Sequence, residues 1–293
     1  MKRAGYEAAT VSIVHLQEVQ AAVSRLVEHG LVSRRLSEYW NFHLETDAGL
    51  PGARTIVVIA VPQSIVRVAF RWQGKDRPAE IAPGYFYRAD ETRAEDLLKN
   101  TLAAAGYEIV RANLALKTLA VRSGLAEYGR NNIAYVPGMG SFFRLVAYYT
   151  DFPCEEDSWG EYGVMSACAD CSICRRNCPT GCIDAERFLV HAENCLGFLG
   201  QRQPDFPYWV RLQPEWENAL VGCMRCQFDC PVNGPYIGDI REGPSFSEEE
   251  TGQVLDAVPL DRLPRETRLK LSDMADRVYP LLSRNLRELV DWN

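Results

Sequence analysis

Apolar positions recur with a helical period from about Val11 to Val27, and the run closes at His29 and Gly30, which predicts an amphipathic helix stopped by glycine. The next apolar block has a different character. "RTIVVIAVP", residues 54–62, is continuous and rich in β-branched side chains, so it predicts a buried strand, and "SIVRVAFRW" after it predicts a second. "ETRAEDLLKNTLAAAG" opens on acids and ends on glycine, the polarity of a helix, and feeds a strand at "YEIVRAN". A further helix is expected over "LALKTLAVRSG", then two strands, "NNIAYVP" and "SFFRLVAYYTD", joined by the turn "GMG". This alternation predicts an α/β layer domain over residues 1–153.

From Cys154 to Pro231 the periodicity fades and cysteine takes over, which marks a separate domain over residues 154–240. Residues 241–293 return to a helical pattern, with Ser247 and Glu250 at capping-box spacing. The expected organisation is therefore three consecutive segments. No internal repeat appears apart from the paired cysteine motifs.

A chain of 293 residues with 47% hydrophobic content can bury a substantial core. Its 32 Lys and Arg against 39 Asp and Glu leave a formal charge of −7, which argues against a broad nucleic-acid footprint and leaves a local tRNA-binding face as the nucleic-acid option. No apolar stretch approaches the roughly 20 residues that span a bilayer. The first residues lack the continuous apolar segment of a signal peptide and carry no twin-arginine signal, so a cytoplasmic protein without membrane contact is expected.

All ten cysteines lie between Cys154 and Cys230. "CADCSICRRNCPTGC" follows the spacing C-x2-C-x2-C-x3-C-P, the ligand run of ferredoxins that carry two [4Fe-4S] clusters. In such proteins the first three thiolates, here Cys168, Cys171 and Cys174, hold one cube, and the fourth, Cys178 before Pro179, holds the other. "GCMRCQFDCP" supplies the reciprocal set: Cys230, again before proline, completes the first cube, and Cys223 and Cys226 join Cys178 on the second. Cys195, isolated in "HAENCLGF", fills the remaining position. Structural zinc also uses C-x2-C pairs but does not explain a three-cysteine run with a C-P partner at both ends. Cys154 and Cys182 fall outside this count and are read as small buried side chains. Two adjacent cubes form an electron wire, and an electron donor such as ferredoxin or flavodoxin is the expected partner.

The stretch "LAVRSGLAEYGRNNIAYVPGMGSFFRLVAYYTD", the run beginning at Cys168, "ENCLGFL" and "VGCMRCQFDCPVN" together resemble epoxyqueuosine reductase and, more distantly, the reductive dehalogenases. The similarity covers roughly residues 54–234, with an echo at "LLSRNLREL". The resemblance implies a nitroreductase-like α/β domain that binds cobalamin, an α+β ferredoxin-like domain with two clusters, and a short helical tail. It implies an oxidoreductase whose clusters feed a corrinoid that reduces a small or tRNA-borne substrate.

Two departures bear on the chemistry. The aspartate proton donor of epoxyqueuosine reductases falls at Val110, and no acid occurs between Glu108 and Glu127. "GLAEYGR" is similar to a dehalogenase motif, in a family that uses a tyrosine donor. Tyr87, in "PGYFYR" with Tyr85 and Arg88, and Tyr128, beside Arg130, are the candidate donors, with Arg130 as the cation that stabilises a phenolate. Gly140 and Ser141 would let the main chain approach a flat ring, and Asn131 and Asn132 would bind its amides. An electron-transfer protein without corrinoid, and a flavin-containing variant, are the alternatives. The four histidines, His15, His29, His43 and His191, show no ligand spacing; His191 near Cys195 could tune the second cluster by hydrogen bonding, but a surface position is the expectation.

Overall fold

A computed structural model describes residues 1–33, 36–37, 49–86, 88–161, 163–201, 219–274 and 278–291. The chain folds into two compact units that interleave: Met1–Pro62 with Asp90–Cys171, and Gln63–Ala89 with Ser172–Asn293. The three consecutive segments read from the sequence are thus replaced by two units, because one stretch of the amino-terminal half pairs with strands and loops far downstream.

The first unit is built on a four-stranded sheet. β1 (Glu7–Ser12), β2 (Thr55–Pro62), β5 (Ile109–Arg111) and β8 (Phe143–Thr150) lie in the order β1-β2-β8-β5, all neighbours antiparallel. α1 (Leu16–Glu28), α2 (Arg88–Ala103) and α3 (Leu116–Arg122) accompany it. The unbroken apolar run of β2 has a direct cause: alternate side chains enter two cores. Val57, Ile59 and Val61 pack with Ala94 and Leu98 of α2, while Ile56, Val58 and Ala60 pack with Leu16, Val19, Leu119 and Ala120 of α1 and α3. A strand buried on both faces needs no polar alternation. Each such side chain contributes roughly 1.5–3 kcal/mol relative to exposure.

β1 is absent from the sequence reading, which places a helix from Val11 onward. The helix begins only at Leu16, and the residues before it form an edge strand on β2, from Glu7 against Ala60 to Ser12 against Thr55. Pairing with a ready-made edge overrides a weak local preference. The expected strand "NNIAYVP" is also reduced, to the two residues of β7 (Ala134–Tyr135), which pair with β6 (Glu127–Tyr128) and not with β8.

In the second unit β3 (Ile65–Trp72) lies between β4 (Lys75–Ile81), which is antiparallel to it, and β9 (Ile240–Phe246), which is parallel. β4, "KDRPAEI", hides from sequence reading because it is charged and contains Pro78, the marks of an edge strand. β9 approaches so closely that a Cβ on Gly243 would lie 2.7 Å from Val66 Cγ1. α4 (Glu248–Leu255), α5 (Arg265–Leu271) and α6 (Tyr279–Asp291) follow. Val254, Leu255, Leu271, Leu282 and Leu286 share a core with Val66, Val68 and Phe70. The capping box read from the sequence is complete: Ser247 accepts from the Glu250 amide and Glu250 accepts from the Ser247 amide.

A polar knot ties the segment ahead of the first cluster cysteines to α1 and α3. The His15 ring stacks on Trp159 at 4.5 Å and its two nitrogens lie 2.8 Å from Glu18 and 2.9 Å from Asp157. Arg122 covers Trp159 at 4.2 Å and donates to the Gly160 carbonyl, and Trp159 Nε1 donates to Glu18.

Candidate metal centre

In the first unit, β6 splints the approach to Cys168. The Tyr128 amide donates to the Gly163 carbonyl at 3.1 Å, and the Met165 amide donates to the Tyr128 carbonyl at 2.8 Å. Two residues on, Arg130 reaches the cysteine turn: its guanidinium donates to the Cys168 carbonyl at 2.7 Å and to the Ala169 carbonyl at 3.1 Å, and its amide points at Cys168 Sγ, 3.5 Å away. Gly129 between them has no room for a side chain, since a Cβ there would meet Asn131 Oδ1 and the Tyr135 ring at 2.5 Å.

The residues expected at a corrin or at a proton donor occupy these positions. Tyr128 is buried in the sheet core. Asn131 donates to the Tyr135 hydroxyl at 2.9 Å and accepts from the Ile133 amide, and Asn132 adopts φ 59° in a turn whose carbonyl accepts from Lys117. Gly140 and Ser141 are buried at the bridge that closes on Val136. The structure commits both asparagines to a tight turn. None of these four lines the open cavity of about 670 Å³ in this unit, whose walls include Glu7, Thr10, Leu98, Gly124, Leu125 and Phe152. Tyr87 and His43 lie outside the described residues. Val110 stands on β5 opposite Tyr149, 36% exposed.

The second unit gathers the remaining candidate cysteines, Cys174, Cys178, Cys195, Cys223, Cys226 and Cys230. The helical turns Ile173–Arg176 and Arg225–Phe228 pack together, and the residues just ahead of the two C-P cysteines are joined: Asn177 donates to Asp229 at 2.6 Å. Cys195 caps the turn Leu196–Leu199, and Gly197 lies between it and Cys223: a Cβ on Gly197 would be 3.7 Å from Cys195 Sγ and 3.4 Å from the Cys223 amide nitrogen. Thiols from three separated stretches, Cys178, Cys195 and the Cys223–Cys226 pair, therefore share one place.

Tyr85 belongs to the same neighbourhood. Its hydroxyl accepts from Gln201, which also donates to the Gly197 carbonyl. A Cβ on Gly222, at φ 80°, would lie 3.0 Å from the Tyr85 ring, and the Ala82 amide donates to the Val221 carbonyl. These contacts are why residues 63–89 fold with the cysteine-rich half. His191, expected at the surface, turns its ring toward Asp184 and Arg187 with 41% of its side chain exposed, and its amide donates to the Cys182 carbonyl.

The electrostatics of this thiol group are split, two thiols being raised and two lowered. Burial pushes Cys223 up to about 11 and raises Cys226 well above the ordinary thiol range, the negative charge of Cys223, Cys195, Cys174 and Cys178 adding to it. The Cys182 thiol, 3.4 Å from Cys178 Sγ, lowers Cys178 to about 5 by hydrogen bonding against the opposing effect of burial. It does the same for Cys195, lowered to about 7 with help from the amides of Phe198 and Gly197. Cys182 is itself driven upward by these two neighbours and is 3% exposed, so it keeps its proton as a donor. As thiolates the four would repel one another and lose hydration, and a metal core would offset both. Among the described residues no three His, Cys, Asp or Glu side chains converge as the ligands of a single ion do. A cube has a different layout, with each thiolate on its own iron. The donor set therefore fits an iron-sulfur cube, with Cys182 as a fifth sulfur that hydrogen-bonds two ligands. Cys154, by contrast, is partly exposed and donates to the Glu156 carbonyl.

No family model matches the chain. Epoxyqueuosine reductase of Staphylococcus aureus is 28% identical over 199 residues, which cover 64% of this chain and 50% of that protein. The Escherichia coli epoxyqueuosine reductase is 33% identical over 222 residues, covering 71% of this chain and 53% of that one. The chain is a divergent relative of the epoxyqueuosine reductases. It spans about half the length of the curated relatives it matches. Its fold agrees with that of the Bacillus subtilis epoxyqueuosine reductase, with a TM-score of 0.68 at 21% identity over 99% of this chain and 78% of the other. An epoxyqueuosine reductase solved with an epoxyqueuosine-modified tRNA stem loop gives 0.63 at 20% identity, over 97% and 76%. The mixed α/β fold is thus shared with the epoxyqueuosine reductases, and no helix among the described residues is long and apolar enough to cross a membrane.

Proposed function

We propose that this chain is an iron-sulfur oxidoreductase of the epoxyqueuosine reductase type, in which two [4Fe-4S] clusters deliver single electrons to a bound acceptor. The observation that supports the reading is an all-thiol set drawn from three stretches of chain: Cys195 and Cys223 meet across Gly197, and Cys182 hydrogen-bonds both Cys178 and Cys195. Cys178, Cys195, Cys223 and Cys226 would hold one cube, and Cys168, Cys171, Cys174 and Cys230 the other. The protein's own residues supply the environment: amides of Gly197 and Phe198 and the thiol of Cys182 hydrogen-bond ligand sulfurs, which favours the more negative, reduced state of a cluster. A ferredoxin or flavodoxin in the cytoplasm would be the electron source.

Cobalamin enters this proposal from the resemblance alone, because the asparagines expected at its amides are engaged in the β6–β7 turn. When bound, a corrinoid would supply low-valent cobalt as the reductant of the substrate, small or tRNA-borne. Anaerobically reconstituted protein mixed with hydroxocobalamin is expected to carry iron, sulfide and a co-eluting corrin spectrum through gel filtration. Protein that carries clusters but never corrin overturns the cobalamin part.

A second reading is electron transfer to a partner protein without a corrinoid. The exposed, uncharged Val110, where epoxyqueuosine reductases carry their acid, favours it. It predicts reoxidation of the clusters by a partner and no corrin, whereas flavin absorbance in fresh protein would point to the flavin variant.

A further inference from the structure

Arg130 makes more contacts with the first cysteine turn than with any tyrosine. One guanidinium nitrogen bonds the carbonyls of Cys168 and Ala169, and the Arg130 amide faces Cys168 Sγ at 3.5 Å. Its Nε–H is buried with no acceptor among the described residues. A buried donor left unpaired costs about 1–3 kcal/mol. The backbone around Arg130 is also fixed, by the β6 hydrogen bonds to Gly163 and Met165 on one side and by the crowded Gly129 on the other. The cation is therefore presented from a rigid support.

We infer that Arg130 is a positioning and tuning residue for the cluster that Cys168 serves, holding the cysteine turn by its carbonyls and raising the reduction potential by its charge and by its amide bond to sulfur. The inference rests on the cluster reading above. A cluster gains negative charge on one-electron reduction, so a nearby fixed cation and N–H donors to sulfur favour the reduced form. Nothing in this role needs a tyrosine.

The test is an EPR-monitored redox titration of the full chain, reconstituted anaerobically, as wild type, Arg130→Gln and Arg130→Lys. In R130Q both cubes are expected to assemble, with the midpoint of one lowered so that its reduced-to-oxidised ratio at fixed potential falls about tenfold, equivalent to about 59 mV for one electron. The other midpoint is expected to stay in place, and R130K to recover most of the shift. Two unchanged midpoints in an R130Q protein with full iron would overturn the inference. If R130Q fails to assemble one cube, R130K decides: retention of that cube supports the inference, and the same loss refutes the role of charge. A wild-type protein without iron-sulfur EPR signals is a distinct result that removes the cluster reading itself.

Discussion

In the first unit β2 buries every side chain from Thr55 to Val61 between two layers of helices, whereas in the second the described residues from Ser172 to Pro231 contain nothing longer than a helical turn of four. The same chain thus stabilises structure in two ways. Apolar area removed from water holds the sheet. Among the described residues the cysteine stretch has few fully buried large side chains, and on the proposed reading sulfur ligands would supply the cross-links that a core supplies elsewhere, much as structural metals do in small domains. The difference teaches where each region is vulnerable: one to cavities, the other to loss of metal.

The largest expected effect separates the two outright. Cys195→Ser is expected to lower iron from about eight to about four per chain. Limited proteolysis should then cut within the 172–231 stretch while fragments of the β2–β8 sheet survive. Equal protease resistance with full iron would mean that Cys195 is not a ligand. The converse test is Ile59→Ala, in a fully buried position of β2. It is expected to cost about 2–5 kcal/mol in urea unfolding, with iron per folded molecule unchanged.

A smaller effect is expected where the sheet of the second unit meets its cysteines. Gly222→Ala forces a side chain into φ 80°, 2.9 Å from Ala82 Cβ and 3.0 Å from the Tyr85 ring. Backbone strain of this kind costs about 1–3 kcal/mol. Faster iron release to a chelator, measured against Gly238→Ala in open space, is the readout.

The smallest effect concerns the polar knot that fixes residues 157–160. Hydrogen bonding from His15, then from Trp159, holds the Glu18 carboxyl below its usual range. Burial works the other way at Asp157, but bonds from His15 and the Ser12 amide leave it lowered as well. A carboxyl whose pKa is depressed on folding adds stability above its unfolded pKa and loses it as pH falls through the folded value. Glu18→Gln should therefore reduce stability by less than about 1 kcal/mol at neutral pH, because the site is exposed. The gap between variant and wild type should close below about pH 4. A gap independent of pH would remove the carboxylate from the account.

Much of the architecture was legible locally. β2, β3, β8, α2, α3 and the capping box at Ser247 all follow from period, β-branching and end signals within short windows. The missed elements share one property. β1, β4 and β9 are edge strands whose sequences, "EAATVS", "KDRPAEI" and "IREGPSF", carry too few large apolar side chains to announce themselves. They exist because a central strand already offers its hydrogen-bonding edge. The interleaving of the two units was hidden for the same reason, since the pairing of β3 with β9 joins residues more than a hundred positions apart.

The candidate cysteine ligands were readable because their short spacing is a local property of the chain. Their surroundings were not. That Cys182 lies against Cys178, that Arg130 grips the Cys168 turn, and that Asn131 serves a turn instead of a ligand are facts of tertiary contact. Sequence by itself determined which atoms can bind metal and which strands form a core, because both depend on neighbours within a few residues. The structure decided which edges pair and which donors point at sulfur, because these depend on groups brought together only by the folded chain.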